Sequence, residues 1–218
     1  MDNKRRNFII SGVLLLVAII FTILVKTVDV KAVGASGTNI GFATSNQFVF
    51  EKIGVNMVWD RITDVLEIVP AFIAVAYACI GLVQLVKRKS LFKVDKEIML
   101  LGAFYVVVIA LYVFFEKVII NYRPTLMNGL LEASYPSSHT LMTICVCGSA
   151  ILMNKRLFNN KMTNIINYIL VGILTLTVVG RLIAGVHWLT DILGGIIISS
   201  CLLMFFYSIL DMTEKEEK

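Results

Sequence analysis

The stretch RLIAGVHWLTD, residues 181–191, places an arginine, a histidine and an aspartate between two long apolar runs. Charged groups beside a bilayer are costly and usually serve a function. His187 and Asp191 are four residues apart, a spacing that puts both side chains on one face of a helix. Asp191 would then accept the Nδ1–H of His187 and leave the Nε2 lone pair free, as in a nucleophile with its orienting carboxylate. A His–Asp pair that caps an interfacial helix is the alternative interpretation.

A second group of residues has the chemistry of an anion-binding site. Arg123 and Arg181 carry planar guanidinium groups, which bind phosphate oxygens through paired hydrogen bonds. Arginines that only anchor the protein at the membrane interface are the alternative, although the charge bias of membrane proteins favours the cytoplasmic face. Lys117 adds a third positive charge, but a lysine at a helix end often just extends to the interface.

The segment YPSSHT, residues 135–140, predicts a turn at Pro136 followed by the start of a helix. Free backbone N–H groups there, with the hydroxyls of Ser137 and Ser138, would bind an anion. An ordinary serine N-cap explains one serine but not His139, which suits a general acid for a leaving oxygen. The three groups together favour phosphoryl transfer through a phosphohistidine, in which positioning and charge neutralisation supply most of the catalysis.

Membrane-spanning helices must position these residues. The chain of 218 residues is 58% hydrophobic and 16% charged, whereas soluble domains are about a quarter charged. A spanning helix needs roughly 20 apolar residues. Six stretches approach that length: Phe8–Val25, Val65–Val86, Ile98–Phe115, Thr140–Met153, Ile165–Val179 and Trp188–Leu210. The sequence therefore predicts an all-α integral membrane protein with six transmembrane helices in a single domain, residues 1–218. No arginine-rich stripe with stacking aromatics is present, so no nucleic-acid partner is predicted.

Lysine and arginine predict the orientation of these helices. They are concentrated at the N-terminus, in the loops after the second and fourth stretches, and at Lys215 and Lys218. Because cytoplasmic loops are enriched in these residues, we predict that both termini are cytoplasmic and that the protein lies in the cell membrane. Residues 26–64 then form a long outer loop, in which FVFEKIGVNMVWD suits an interfacial helix or part of a lid. Within region 117–191, the candidate residues described above, which include both histidines of the chain, all fall at the predicted outer, extracytoplasmic face.

The motifs resemble those of the membrane branch of the type 2 phosphatidic acid phosphatase superfamily, which is related to the vanadium haloperoxidases. The signature of that family is Lys-x6-Arg-Pro, then Pro-Ser-Gly-His, then Ser-Arg-x5-His-x3-Asp. The corresponding segments here are KVIINYRP (117–124), PSSH (136–139) and GRLIAGVHWLTD (180–191). The six-span layout extends the resemblance over most of the chain.

The resemblance implies roles for the residues that match the signature. His187 would attack phosphorus, Asp191 would support it, and His139 would protonate the leaving oxygen. The phosphoryl oxygens would be held by the remaining matched residues, which are Arg123, Arg181, Ser137, Ser138 through its backbone N–H, and Lys117. The family needs no metal or other cofactor for this reaction, and a chain with two histidines offers no convincing metal-ligand cluster.

Three positions depart from the signature. Five residues, not six, separate Lys117 from Arg123, and Glu116 occupies the expected lysine position. One residue corresponds to about 100° of rotation on a helix, so Lys117 would point in a different direction from the lysine of the signature. Ser138 replaces a glycine, and Gly180 replaces the serine before Arg181. Both histidines, both arginines and the aspartate are in place.

The leading functional hypothesis is therefore a metal-independent lipid phosphate or diphosphate phosphatase that acts at the outer leaflet. The resemblance suggests undecaprenyl diphosphate, phosphatidylglycerol phosphate and phosphatidate as candidate substrates. A phosphotransferase that passes the phosphoryl group to an acceptor hydroxyl would use the same residues. A non-catalytic lipid-binding or transport protein is a further alternative, but transporters usually carry ionisable groups near the middle of the membrane. Here the middle of each span is apolar or holds small hydroxyl residues.

Overall fold

The computed structural model describes residues 3–158 and 160–213, and within them the regular structure is helical. Lys215 and Lys218, which contributed to the predicted orientation, lie outside these residues. The all-α prediction is confirmed for the described part of the chain. The helices are α1 (Asn3–Thr27), α2 (Ala43–Ile53), α3 (Met57–Leu66), α4 (Ile68–Arg88), α5 (Lys96–Lys117), α6 (Ser138–Leu157), α7 (Lys161–Ala184) and α8 (Leu189–Met212).

Five segments of the described chain are long and apolar enough to cross a membrane. They are α1, the α3–α4 segment Met57–Arg88, α5, α7 and α8. Their surfaces carry large exposed apolar side chains, such as Phe72, Val106 and Tyr168, as expected of helices that face lipid. The fourth predicted stretch lies in α6, which is 20 residues long but less apolar than the others. A crossing by α6, and hence the six-span arrangement, stays a prediction.

Helix α6 occupies the interior of the bundle. It packs against both α7 and α8, while α1 runs along the other side of α8. The side chains of Cys145, Ala150 and Met153 on α6 are fully buried. At one end of the bundle, Asn7 Nδ2 donates to Asp211 Oδ2 across 3.3 Å, so the start of α1 and the end of α8 lie together there. The polar motifs lie at the opposite end of the bundle, where α6 and α8 begin and α5 and α7 end. We call this the motif end.

The predicted long loop 26–64 contains α2 and most of α3, both docked onto the motif end of the bundle. Helix α2 is held by Asn46, whose Nδ2 donates to Thr190 Oγ1 at 2.9 Å and whose Oδ1 accepts from Thr190 N at 3.1 Å. Helix α3 begins at Asn56, whose Oδ1 caps the N–H groups of Val58 and Trp59. The N–H of Asn56 also donates to the carbonyl of Ala184, which fixes α3 against the end of α7.

Candidate active site

His187 lies in the short turn between α7 and α8. Gly185 ends α7 with φ of 64°, a left-handed conformation that suits glycine, and the chain then turns into α8. The next residue, Trp188, is fixed by its Nε1–H, which donates to the carbonyl of Tyr122 at 2.8 Å. The His187 side chain is 4% exposed and lines a small cavity with Ser134 and Ser138. The turn therefore holds the imidazole beneath the surface of the motif end.

Asp191 stands in the first turn of α8, where the helix dipole favours a carboxylate. Its Oδ2 accepts from the Trp188 N–H at 2.9 Å and from the Ser134 hydroxyl at 2.5 Å. Its Oδ1 accepts from Asn121 Nδ2 at 3.1 Å. The direct hydrogen bond to His187 that the spacing of four residues suggested is replaced by a contact through Ser134. The reason is that His187 precedes α8, so the two residues do not share one helix.

The two ring nitrogens of His187 have different surroundings. Nδ1 lies 3.0 Å from Ser134 Oγ and 3.1 Å from Ser134 O. Nε2 is buried and has no hydrogen-bond partner within the described residues. Burial holds the pKa of His187 well below its usual 6.5, and the positive charges of the nearby Arg123 and Arg181 lower it further. The imidazole is therefore neutral at neutral pH, and its free nitrogen can act as a nucleophile.

Arg181 is tied to α3. Its side chain is 1% exposed, and Nη1 donates to Asp60 Oδ1 at 2.7 Å and to Thr63 Oγ1 at 3.1 Å. The Oδ1 atom of Asp64, an exposed residue, lies 3.6 Å from the same nitrogen. Nε has no partner in the described part of the chain. Asp60 thus neutralises and orients the guanidinium, while Nε keeps a donor for a ligand.

His139 stands in the first turn of α6 and faces two carboxylates. Its Nε2 lies 3.0 Å from Asp64 Oδ1 and 2.8 Å from Glu67 Oε2. Carboxylates accept hydrogen bonds, so Nε2 carries the hydrogen on this side of the ring. Nδ1 is buried without a partner among the described residues. Neither Asp64 nor Glu67 belongs to the three motif segments, so the sequence pattern gave these two carboxylates no role.

The motif end also contains Arg123, Ser137 and Ser138. Arg123 Nε lies 3.1 Å from Glu132 Oε2, but neither Nε nor Nη1 has an aligned hydrogen bond within residues 3–158 and 160–213. Ser137 is the N-cap of α6, and its N–H donates to the Asp191 carbonyl, which joins the α6 motif to α8. The Ser137 hydroxyl is buried and unpartnered within the same ranges. Ser138, the first residue of α6, lines the cavity shared with His187.

Most of the buried polar side-chain atoms that lack a hydrogen-bond partner in the described chain therefore lie at the motif end. Native proteins leave few such atoms, and each usually has a functional or ligand-related reason. In the described chain the atoms at the motif end are Arg123 Nε and Nη1, Ser137 Oγ, His139 Nδ1, Arg181 Nε and His187 Nε2. The set combines cationic donors, a hydroxyl and two imidazole nitrogens. That combination suits a tetrahedral oxyanion such as a phosphoryl group.

Lys117 occupies a different position from the other predicted residues. It is the exposed last residue of α5. Its neighbour Glu116 instead lines both the His187 cavity and an adjoining cavity walled by Arg123 and His139. The shift of one residue noted in the sequence thus brings a carboxylate, rather than the ammonium group, to the cavity wall. The structure brings the other predicted residues together.

Comparison with known proteins supports the fold and the resemblance of the motifs. Residues 115–215 match the family model described as the PAP2 superfamily, so the resemblance predicted from the motifs is confirmed. The chain has the fold of a PAP2-type membrane phosphatase. It is similar to the crystal structure of a transmembrane PAP2-type phosphatidylglycerolphosphate phosphatase from Bacillus subtilis, with a TM-score of 0.60 and 22% sequence identity. The match covers 95% of this chain and 98% of that chain. Comparison with the curated proteins gave no match.

Gly180 explains one departure from the motif and supports a testable prediction. A Cβ at this position would lie 2.7 Å from Thr63 Cγ2 and 3.2 Å from Trp59 Cε3, so α3 occupies the space of the family's serine side chain. A Gly180→Ser variant should therefore be destabilised by about 1–3 kcal/mol through overpacking. Thermal unfolding in detergent measures this effect.

The matched variant for this prediction is Thr63→Ser. It removes Cγ2 but keeps the hydroxyl that binds Arg181. Gly180→Ser combined with Thr63→Ser should recover part of the lost stability, because the nearest clash is gone. If Gly180→Ser melts at the wild-type temperature, the close packing of α3 on α7 is wrong.

Proposed function

We propose that this protein is a membrane lipid phosphatase that cleaves a phosphomonoester or diphosphate through a phosphohistidine at His187. The observation that carries the proposal is the group of buried, unpartnered polar atoms around the free Nε2 of His187. A neutral imidazole nitrogen supplies the nucleophile, and the guanidinium and hydroxyl donors suit the charge that phosphoryl transfer spreads over the equatorial oxygens.

The proposed reaction has two steps. In the first, His187 Nε2 attacks phosphorus, the bond from phosphorus to the leaving oxygen breaks, and His139 gives a proton to that oxygen. In the second, a water molecule attacks the phosphohistidine while His139 takes a proton from the water. The P–Nε2 bond then breaks, its electron pair returns to His187, and inorganic phosphate leaves. Arg123, Arg181 and Ser137 hold the phosphoryl oxygens in both steps.

We further propose that the substrate is a lipid of the outer leaflet. The bias of lysine and arginine toward the loops at the other end of the bundle supports this orientation. The adjoining cavity is walled by apolar Ile119, Leu131 and Met142 as well as by Arg123 and His139, which suits a headgroup joined to a hydrocarbon chain. Phosphatidylglycerol phosphate, undecaprenyl diphosphate and phosphatidate are the candidates.

A substrate panel tests the proposal. Purified protein in detergent should release phosphate from at least one of the three lipids, and EDTA should leave the rate unchanged. Product analysis with added alcohols measures how much of the phosphoryl group goes to an acceptor other than water. The proposal fails if no lipid phosphate is hydrolysed under conditions in which the protein is folded.

The pKa of His187 leads to a prediction about pH dependence. Since the neutral ring is the nucleophile and its pKa is lowered, kcat/KM should fall only when the pH drops well below 6.5. The titratable and charged groups around the ring are Arg123, Arg181 and His139, with Tyr112 and Glu116 on the wall of the same cavity and Asp191 behind Ser134. Replacing Arg123 with glutamine removes a positive charge, so the acid limb of kcat/KM should move to higher pH.

The control for this pH prediction is Arg61→Gln. Arg61 is an exposed arginine of α3, and its replacement removes the same charge without touching the site. Its acid limb should coincide with that of wild type. An acid limb near pH 6.5 in wild type, or an equal shift in both variants, would contradict the prediction.

A further inference from the structure

Ser134 stands between the proposed nucleophile and its carboxylate. Its side chain is buried, with Oγ 2.5 Å from Asp191 Oδ2 and 3.0 Å from His187 Nδ1. The carbonyl of the same residue lies 3.1 Å from His187 Nδ1. Ser134 lies outside the three segments that match the family signature, since it precedes Pro136 by two residues.

Counting hydrogens fixes the direction of these contacts. A serine hydroxyl has one hydrogen, and a carboxylate can only accept, so the Ser134 hydroxyl donates to Asp191. Its oxygen lone pairs then face His187 Nδ1, as does the Ser134 carbonyl. Both partners are acceptors, so Nδ1 must carry the hydrogen. Nε2 is left with the lone pair that attack on phosphorus needs.

The surrounding chain holds Ser134 in this position. The Ser134 N–H donates to the carbonyl of Asn121 at 2.9 Å, and Asn121 Nδ2 donates to Asp191 Oδ1 at 3.1 Å. Asn121 therefore fixes both the serine and the carboxylate. Three buried polar side chains and a backbone carbonyl thus form one satisfied network behind the ring, and such networks are rigid.

We propose that Ser134 is a positioning residue for His187, through which Asp191 sets the tautomer of the ring and stabilises its positive charge. This inference rests on the proposed phosphatase function. When Nε2 bonds to phosphorus the ring becomes cationic, and the Nδ1–H bond to Ser134 strengthens. The hydrogen bond to Asp191 polarises the Ser134 hydroxyl, so its oxygen is a stronger acceptor for the Nδ1–H of His187. Both protons stay where they are, one on Ser134 Oγ and one on His187 Nδ1.

Kinetics give the first test. Ser134→Ala should lower kcat by about 10- to 100-fold, a size typical of lost support for a catalytic group, with little change in KM. Ser134→Thr keeps the hydroxyl and should recover most of kcat. Ser199→Ala is the matched control, because Ser199 is a buried serine of α8 whose hydroxyl bonds to the Gly195 carbonyl within the helix. Its kcat should stay within about twofold of wild type.

Nuclear magnetic resonance gives a second test that does not depend on turnover. The chain has two histidines, so labelling with [15N]histidine yields two ring systems, and a His139→Gln sample assigns them. His187 should show a protonated Nδ1 and an unprotonated Nε2 at neutral pH. In Ser134→Ala the Nδ1 proton should move upfield, because only the backbone carbonyl remains as acceptor.

The two tests separate the possible failures. An unchanged Nδ1 proton in Ser134→Ala would overturn the proposal, even if kcat falls, because the loss would then be structural. A wild-type kcat in Ser134→Ala would overturn it as well. If wild type hydrolyses no lipid phosphate but the resonance shifts as expected, the proposed function fails while Ser134 still sets the tautomer.

Discussion

Replacing His187 with alanine should slow phosphate release by at least about 1,000-fold, or roughly 4 kcal/mol of transition-state stabilisation. The side chain supplies the unpartnered Nε2, and in the proposed reaction the other imidazole of the site, that of His139, serves as the proton donor. Phosphate release from the preferred lipid measures the loss. Rapid quenching of wild type, followed by mass spectrometry, should find phosphate on the peptide that contains His187. Normal activity in His187→Ala would show that His187 is not the nucleophile.

A comparison with His139→Ala separates the nucleophile from the acid. A proton donor matters most when the leaving oxygen is a poor leaving group, so a phosphate ester with an activated phenol should restore much of the His139→Ala rate. The same ester should not restore His187→Ala, because the P–N bond still cannot form. Thermal unfolding of both variants in detergent serves as the folding control. Equal rescue of the two variants would contradict the assigned roles.

The sequence predicted the site best where reactive residues stand at the ends of predicted membrane helices. Apolar stretches placed helices correctly, and the turns between them brought Arg123, His139, Arg181 and His187 to one end of the bundle. This worked because a helix in a bilayer must satisfy its backbone internally and span a fixed thickness, so the order of the helices restricts where their ends can lie. The resemblance of the motifs to the phosphatase superfamily was likewise confirmed by the match of residues 115–215.

The partners of these residues were not predictable in the same way. A spacing of four between His187 and Asp191 suggested direct contact on one helix, but α8 begins at Leu189 and the turn before it follows another path. Ser134 and Asn121 come from the irregular segment before α6, whose conformation no periodicity describes. Asp60 lies in the short amphipathic helix α3, 121 residues from Arg181 in sequence. Contacts of this range depend on packing, for which a single sequence carries no local signal.

The ion pair between Arg181 and Asp60 supports the second large prediction. Both side chains are buried, with exposures of 1% and 8%. Removing one partner of a buried ion pair leaves an uncompensated charge and typically costs about 3–5 kcal/mol. Asp60→Ala should therefore lower the melting temperature strongly and reduce activity with it. For the melting temperature Asp64→Ala is the matched control, because its side chain is 56% exposed and an exposed pair contributes about 1 kcal/mol or less.

A double variant separates the structural role of Arg181 from its proposed role in binding phosphate. Replacing a buried ion pair with apolar residues of similar volume is often neutral for stability, so Arg181→Met with Asp60→Leu should fold nearly as well as wild type. Phosphate release should nevertheless stay low, because the unpartnered Nε of Arg181 is lost with the guanidinium. If the double variant is both stable and fully active, Arg181 only holds α3 in place. If it is stable and inactive, the guanidinium acts on the substrate, since the fold no longer depends on it.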